Sequence, residues 1–214
     1  MNKTISSDKI RHIPWKRAFD FFFSLFVLIV ASPLFLTLWI IVRLSSKGPV
    51  IYSHERIGRG GVPFQCYKFR SMYPDADIRL EEILKSCPLK KEEWEATHKL
   101  KQDPRITKIG AFLRKTSLDE LPQFWNVLIG DLSVVGPRPV VEKEILNHFG
   151  PKANKILSIR PGLTGIWQVS GRNNTCYQER LRLDEHYVDN HSFLGDLKLI
   201  FKTIPEMIFS KGAY

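Results

Sequence analysis

The chain has 214 residues, a length typical of one domain with a short appended segment. Its 32 basic and 22 acidic residues give a net charge of +10, which favours anionic partners such as nucleic acid, anionic lipid or a phosphorylated substrate. The three cysteines, Cys66, Cys87 and Cys176, lie far apart, and no CxxC or HExxH spacing occurs. This pattern argues against a disulfide framework and against a zinc site.

Residues 1–17 are predicted to form a polar, basic arm, which leads into an uncharged stretch of 22 residues, Phe21–Val42. A straight helix of that length would be about 33 Å long, enough to cross a hydrocarbon core of about 30 Å. Near its middle stand Ser32 and Pro33. Proline removes a backbone donor and frees the carbonyl of Ile29, so we expect a kink there, with Ser32 able to bond the freed carbonyl.

The flanks of this stretch carry the same charge. Lys16 and Arg17 precede it, and Arg43 and Lys47 follow it. The positive-inside rule therefore sets no orientation, and it is best satisfied if both ends stay in the cytoplasm. A re-entrant helix over residues 18–45 would do that. A kinked spanning helix is the alternative, because membrane helices tolerate proline, and the residues alone leave both open.

Beyond residue 48 the pattern becomes β-like. Two β-rich runs, at 50–54 and 63–69, flank the glycines of 58–61, which predicts a β-hairpin. The glycine spacing fits neither GxGxxG nor a P-loop, so these glycines are interpreted as turn residues.

Helical segments follow the predicted hairpin. Residues 75–84 have helical spacing, and residues 87–98 form an acidic stretch that is interpreted as a solvated helical face. The C-terminal segment from residue 192 carries apolar residues at helical spacing, and Pro205 is expected to break it. A core helix and an interfacial helix lying on a bilayer both fit this last pattern.

The string TSLDELPQFWN, residues 116–126, places Asp119 and Glu120 side by side. Ser117 and Glu120 have the spacing of a capping box, in which Ser117 starts a helix and Glu120 reaches back to it. A pair of catalytic carboxylates is the competing interpretation, and this string alone does not decide between them.

Arg138 lies between Pro137 and Pro139 in the string GPRP. The prolines restrict the backbone on both sides and hold the guanidinium at low entropic cost, which suits bidentate phosphate binding. An exposed arginine in a surface turn is the alternative. Arg160, before Pro161, and Arg172 invite the phosphate interpretation with less force.

Adjacent carboxylates among fixed cations suit phosphoryl transfer assisted by a divalent metal. A carboxylate that attacks an anionic phosphorus meets repulsion of about 5 kcal/mol per charge pair at 3.5 Å and an effective dielectric of 20. Mg²⁺ and arginines would be needed to offset it.

Three strings together carry a resemblance: YKFRSM (67–72), DPRITKIGAFLRKTSLDELPQFWNVLIGDLSVVGPRP (103–139) and RPGLTGIWQVSGRN (160–173). They resemble the bacterial sugar transferase family, the monotopic phosphoglycosyl transferases, from about residue 13 to the C-terminus. The resemblance implies an α+β fold with a re-entrant membrane helix broken at Ser32 and Pro33, amphipathic interfacial helices and a small β-hairpin. Residues 46–214 would then form a cytoplasmic catalytic domain.

The activity implied is transfer of a sugar 1-phosphate from a UDP-sugar to polyprenyl phosphate, usually undecaprenyl phosphate, with release of UMP. This step begins the assembly of exopolysaccharide, capsule or O-antigen. Asp119 would be the nucleophile of a covalent phosphosugar intermediate, and Glu120 would complete the dyad and share a Mg²⁺ ion with it. The residues implied to bind substrate phosphate are Arg138, Lys68 and Arg114 and, more weakly, Arg70, Arg160 and Arg172.

The expected location is the cytoplasmic face of the bacterial inner membrane, with both termini cytoplasmic. A glucose or galactose donor is favoured, and the oligomeric state is left open, a homodimer included. A membrane-tethered scaffold whose basic face holds anionic lipid is the competing class. Nucleic-acid binding has only the charge in its favour, and the hydrophobic stretch argues against it.

Overall fold

The computed structural model describes residues 13–97, 100–170 and 176–208. The predicted mixture of helices and short strands is confirmed, and the strands form two small separate sheets among the helices. The helices are α1 (Pro14–Val30), α2 (Ser32–Ser45), α3 (Ala76–Ser86), α4 (Pro88–Thr97), α5 (Lys108–Lys115), α6 (Gln123–Ile129), α7 (Glu142–Glu144), α8 (Ala153–Ile156), α9 (Tyr177–Asn190) and α10 (Phe193–Ile208). The strands are β1 (Ile51–Ile57), β2 (Pro63–Phe69), β3 (Ser133–Val135) and β4 (Gly162–Thr164).

Helices α1 and α2 meet at the predicted break, and their axes are bent by 64°. The Ser32 hydroxyl donates to the carbonyl of Ile29 at 2.8 Å, so the expected compensation for Pro33 is confirmed. Within the described residues no single helix is long and apolar enough to cross a membrane. By length and composition alone, α1 and α2 together qualify as a broken span or a re-entrant loop. Helix α1 begins at Pro14, four residues before the predicted segment.

Helix α1 is polar on its buried side. Its buried residues are Lys16, Asp20 and Ser24, which follow one another at four-residue intervals along one face. Asp20 accepts hydrogen bonds from the Val134 amide at 2.9 Å and from the Ser133 hydroxyl at 3.0 Å. Leu38 and Val42 of α2 are buried, but many other apolar residues of α1 and α2 face outward. The most exposed are Phe22, Phe26, Ile29, Val30, Leu36 and Leu44.

The predicted hairpin is confirmed. Strands β1 and β2 pair antiparallel from Ile51 opposite Phe69 to Ile57 opposite Pro63. A second small sheet was not predicted: β3 and β4 pair parallel, next to glycine and proline residues that favour turns. Three-residue strands are too short to show a two-residue alternation, so their pairing depends on the fold around them.

Two apolar clusters form most of the core. One joins β3, α6 and α9 through residues such as Val127, Val135 and Val188, and it packs against α1 and α10. The other joins α2, β2 and α5 through residues such as Phe69 and Leu113. Each half of the bent helix pair is therefore attached to its own part of the core.

The helices predicted at 75–84 and 87–98 are present as α3 and α4. The expectation that Pro205 breaks the C-terminal helix is wrong, since α10 continues to Ile208. The fixed φ of proline is helical, and its cost in the last turn is one lost hydrogen bond and local crowding. One side of α10 packs on the core, as the core interpretation predicts, whereas Leu194 and Phe201 are exposed. Contact of this exposed side with a bilayer stays a prediction.

Candidate active site

The two adjacent acids lie in a tight turn between α5 and α6. The predicted capping box is wrong, because Ser117 makes no side-chain cap and has a left-handed backbone with φ of 55°. Its amide donates to the carbonyl of Arg114 at 3.2 Å, so Ser117 ends α5 rather than starting a helix. Residues Leu118–Glu120 form one 3₁₀ turn, and α6 begins only at Gln123.

Asp119 is buried, with 7% of its surface exposed. Burial raises its pKa from 3.8 to about 6; Lys68 and Arg114 act to lower it and Glu120 acts to raise it further. Glu120 is more accessible and accepts a hydrogen bond from the Lys68 ammonium at 2.5 Å. The dyad therefore combines a buried carboxylate with a partner that is already paired to a cation.

Three of the predicted phosphate-binding residues surround this dyad. Lys68 comes from β2, and Arg114 comes from α5, where its Nε donates to the Ser71 hydroxyl at 2.8 Å. The charge of Arg138 acts on Glu120, and its guanidinium lies 5.2 Å from the centre of the Trp167 ring. Within the described residues Arg138 donates no hydrogen bond and has no carboxylate at ion-pair distance. Its donors are therefore available to a ligand.

Arg70 has a different environment. Its guanidinium is buried and donates to the carbonyls of Pro49, Val42 and Ser46, with the Ser46 contact at 2.6 Å. These carbonyls belong to the end of α2 and the segment that leads into β1. Arg70 thus fastens the bent helix pair to the hairpin.

Arg160 is likewise engaged with backbone. Its Nε donates to the carbonyl of Gly130 at 2.7 Å, and Arg17 donates to the carbonyls of Val127 and Leu128, both at 2.7 Å. The two arginines therefore satisfy the C-terminal carbonyls of α6, which a helix leaves unpaired. Arg172 lies outside the described residues.

Asn126 supports the site and was given no role from the sequence. It is fully buried, accepts from the Tyr67 amide at 3.0 Å and donates to the Gln65 carbonyl at 2.7 Å. These bonds join α6 to β2 on the side of the strand opposite β1. Lys68 and the acid pair are thereby held in one unit. The sequence gives no signal for this role, because the partners lie about 60 residues away.

The loop that carries Arg138 is fixed by close backbone contact. The Gly136 amide donates to Thr164 O and the Gly162 amide donates to Pro137 O, both at 2.8 Å. A methyl group on Gly162 would lie 2.1 Å from the Gly136 nitrogen, so only glycine permits this approach. The GPRP turn is therefore attached to β4.

The donor chemistry of the dyad fits the expected magnesium ion. Mg²⁺ is usually held by one or two carboxylates together with substrate phosphates and water, and Asp119 and Glu120 supply two carboxylates. The described residues contain no group of three or more histidine, cysteine, aspartate or glutamate side chains suited to a metal. Substrate oxygens and water would therefore have to complete the coordination.

Comparison of the sequence with known proteins identifies a family and several close relatives. The model of the family described as bacterial sugar transferase matches residues 11–210. The chain is 50% identical over 199 residues to the exopolysaccharide production protein ExoY of Sinorhizobium fredii, covering 93% of this chain and 88% of that protein. It is 49% identical over 199 residues to the undecaprenyl-phosphate galactose phosphotransferase of Salmonella typhimurium, covering 93% and 41% of the two.

A more distant relative is the UDP-glucose:undecaprenyl-phosphate glucose-1-phosphate transferase of Escherichia coli. It is 35% identical over 215 residues, which covers 93% of this chain and 41% of that protein. These matches define an enzyme of the phosphoglycosyl transferase class. The chain belongs to the bacterial sugar transferase family. The competing interpretation as a non-catalytic scaffold is thereby set aside.

Proposed function

We propose that this enzyme transfers a hexose 1-phosphate from a UDP-sugar to undecaprenyl phosphate and releases UMP. The observation that carries the proposal is the buried Asp119 beside Glu120, within the charge field of Lys68, Arg114 and Arg138. A carboxylate of pKa about 6 is ionised at neutral pH yet poorly solvated, which suits a nucleophile. The names of the related proteins support undecaprenyl phosphate as acceptor and galactose or glucose as the sugar.

The reaction has two steps. In the first, an oxygen of Asp119 attacks the sugar-bearing phosphorus of the UDP-sugar, the bond from that phosphorus to the bridging oxygen breaks, and UMP leaves with that oxygen. In the second, a phosphate oxygen of undecaprenyl phosphate attacks the phosphorus of the phosphosugar-Asp119 adduct, and Asp119 is released as a carboxylate. Two steps allow a soluble and a lipid substrate to use one site in turn.

Cations lower the barrier to these steps by offsetting repulsion between anions. Arg138, with its free donors, binds a phosphate of the substrate, and Lys68 and Arg114 hold the carboxylates in place. Magnesium, held by Asp119 and Glu120, would neutralise the substrate diphosphate. We infer that the enzyme serves exopolysaccharide synthesis, as the name of its relative ExoY states for that protein.

The test is UMP release from a panel of UDP-sugars, with undecaprenyl phosphate and the full chain in lipid nanodiscs. Asp119→Asn should lower the rate at least about 10³-fold, because the attacking carboxylate is replaced by an amide that is not nucleophilic. The exposed Asp77→Asn is the matched control and should retain the native rate. Mass spectrometry of the native enzyme with UDP-sugar alone should detect a phosphohexose on Asp119. Full UMP release by Asp119→Asn would exclude the covalent path.

We further propose that α1 and α2 enter the cytoplasmic leaflet of the inner membrane and return to the same side. The outward apolar residues of both helices support this, since an exposed apolar patch of this size calls for a non-aqueous partner. The 64° bend and basic residues at both ends also support it. The catalytic domain would then lie on the cytoplasmic face, with exposed apolar residues of α10 at the interface.

Cysteine labelling tests this topology. Lys3→Cys and Lys47→Cys are introduced singly into a chain in which Cys87 and Cys176 are serine, and sealed inside-out and right-side-out vesicles are treated with an impermeant maleimide. Both positions should react only from the cytoplasmic side. Reaction of the two positions from opposite sides would establish a spanning helix instead.

A further inference from the structure

A second guanidinium lies beside Arg138. Arg180, on α9, is 5.0 Å from the centre of the same Trp167 ring and 4.9 Å from the centre of the Tyr177 ring. Only 6% of Arg180 is exposed, so substrate does not reach it readily. Its Nη1 donates to a Glu144 oxygen at 3.2 Å, whereas its Nε and Nη2 have no hydrogen-bond partner among the described residues.

Asp184 lies one helical turn beyond Arg180, and only 1% of it is exposed. Neither of its oxygens has a hydrogen-bond partner in the described part of the chain, and the nearest cation is Arg180 Nε at 3.9 Å. The charges of Arg180 and Arg138 both act on this carboxylate. A buried carboxylate with no hydrogen bond is costly to the fold, so its presence calls for a reason other than stability.

The arrangement supplies that reason. Two guanidiniums near one indole ring repel each other, and with no other force the accessible Arg138 would swing away from Trp167 into solvent. Glu144 compensates Arg180 from one side, and Asp184 interacts with both arginines. The buried carboxylate therefore offsets the repulsion that would otherwise displace the phosphate-binding group.

We propose that Asp184 and Arg180 are positioning residues that hold the Arg138 guanidinium at the substrate phosphate. Arg180 fixes the Trp167 ring against which Arg138 lies, and Asp184 supplies the negative charge that keeps both cations in place. This inference rests on the proposed function only in assigning phosphate binding to Arg138.

Burial raises the pKa of Asp184 to about 7, while Arg180 and Arg138 act to lower it. Experiments on its charge therefore belong at pH 8, where the carboxylate form predominates.

The test measures the affinity for UDP, which cannot react, by isothermal titration calorimetry at pH 8. Asp184→Asn should weaken UDP binding about tenfold in the native background. In an Arg138→Lys background the same change should have less than about a twofold effect, because the group that Asp184 positions is absent. Asp189→Asn, on the same helix and paired with Lys155 at the surface, is the matched control and should bind UDP as the native chain does.

Thermal melting and kinetics separate positioning from a structural role. Asp184→Asn should melt no lower than the native chain, and in UMP release it should raise KM about tenfold with kcat little changed. Arg180→Lys, which keeps the charge but loses the planar group, should weaken UDP binding in the same way. Unchanged UDP affinity of Asp184→Asn, or an equal loss in the Arg138→Lys background, would overturn the positioning role.

The result also distinguishes the two proposals. If the native chain binds UDP and Asp184→Asn binds it equally well, only the positioning role fails. If the native chain binds no UDP, the assignment of phosphate binding to Arg138 fails and the positioning role fails with it, whereas the proposed function is decided separately by UMP release.

Discussion

Asp119 shows how one residue acquires reactivity from its surroundings. From the residues around it in the sequence, Asp119 is expected to be a well-solvated carboxylate in the first turn of a helix. The structure instead buries it in a turn next to Lys68, Arg114 and Glu120. Burial disfavours the charged form more strongly than the cations favour it, and the raised pKa of about 6 reflects that balance.

The first prediction concerns pH and activity. Because attack requires the ionised carboxylate, kcat/KM for UMP release should rise with pH, with a midpoint near 6, and level off above it. Lys68 lowers the Asp119 pKa, so Lys68→Met should move this midpoint to higher pH, as well as lowering the rate. Lys198→Met, an exposed change on α10, is the control and should leave the midpoint in place. A profile that is flat from pH 5 to 8 would contradict the assignment.

The second prediction concerns pH and stability. The pKa of Asp119 is higher in the folded than in the unfolded chain, so the folded state holds the proton more tightly and its stability falls as pH rises from 3.8 to about 6. Above pH 6 this cost is complete, at about 2–3 kcal/mol. Asp119→Asn should therefore raise the melting temperature at pH 8, and the gain should disappear below pH 4. Asp77→Asn should show no such dependence. A lower melting temperature for Asp119→Asn at pH 8 would contradict the prediction.

At the scale of elements, tight backbone contacts set the positions of the site residues. Thr107 is the N-cap of α5, and its hydroxyl accepts from the Gly110 amide at 2.8 Å. The helix lies against Ser71, two residues beyond the end of β2. A methyl group on Gly110 would lie 1.9 Å from the Ser71 carbonyl oxygen. Ser71 in turn receives the Arg114 hydrogen bond, so this contact controls where Arg114 and the acid turn lie.

The third prediction follows from that contact. Gly110→Ala forces backbone against backbone, which no side-chain rotation relieves, and should destabilise the protein by about 1–3 kcal/mol. UMP release should fall as well, because Arg114 and Asp119 move with α5. Gly195→Ala is the matched control, since its new methyl meets only the Ser192 hydroxyl at 3.0 Å. Equal melting temperatures and rates for the two variants would show that α5 can shift freely.

For the whole molecule, the main structural feature is the way the bent helix pair joins the catalytic domain. The Lys16 ammonium pairs with the Asp196 carboxylate, both buried, although the two residues are 180 positions apart in the chain. Tyr187 donates to the same carboxylate at 2.7 Å. The ion pair connects α1 to α10, and the Tyr187 hydrogen bond connects α10 to α9. The first and last described helices are therefore in direct contact.

The fourth prediction tests this closure. Lys16→Met leaves the buried Asp196 carboxylate without its cation and should cost about 3–5 kcal/mol of folding free energy. Adding Asp196→Leu should recover much of that loss, because both charges are then absent. Lys198→Met is exposed and should have little effect. Thermal melting in nanodiscs measures all three, and a Lys16→Met protein as stable as the native one would show that the pair contributes nothing.

Local rules were sufficient for some parts of this protein. The break at Ser32 and Pro33, the hairpin and the GPRP turn follow from the backbone preferences of proline, glycine and β-branched residues, which act within a few positions. Their predictions needed no knowledge of the fold. The capping-box prediction at Ser117 used the same kind of rule and was wrong. Ser117 lies at the C-terminal end of α5, and its spacing in the sequence fits the end of one helix as well as the start of the next.

Sequence alone therefore determined the break at Pro33, the hairpin, the helices α3 and α4, the adjacency of the two acids and, through its resemblance to known sugar transferases, the family. Only the tertiary structure showed that Arg70 binds carbonyls at the end of α2 and that Arg160 binds a carbonyl at the end of α6. It also placed Arg180 and Asp184 near Arg138 and buried the polar face of α1. The physical reason is distance along the chain. A guanidinium can bind phosphate, carboxylate or carbonyl, and the partner it receives depends on which distant segments the folded chain brings to it.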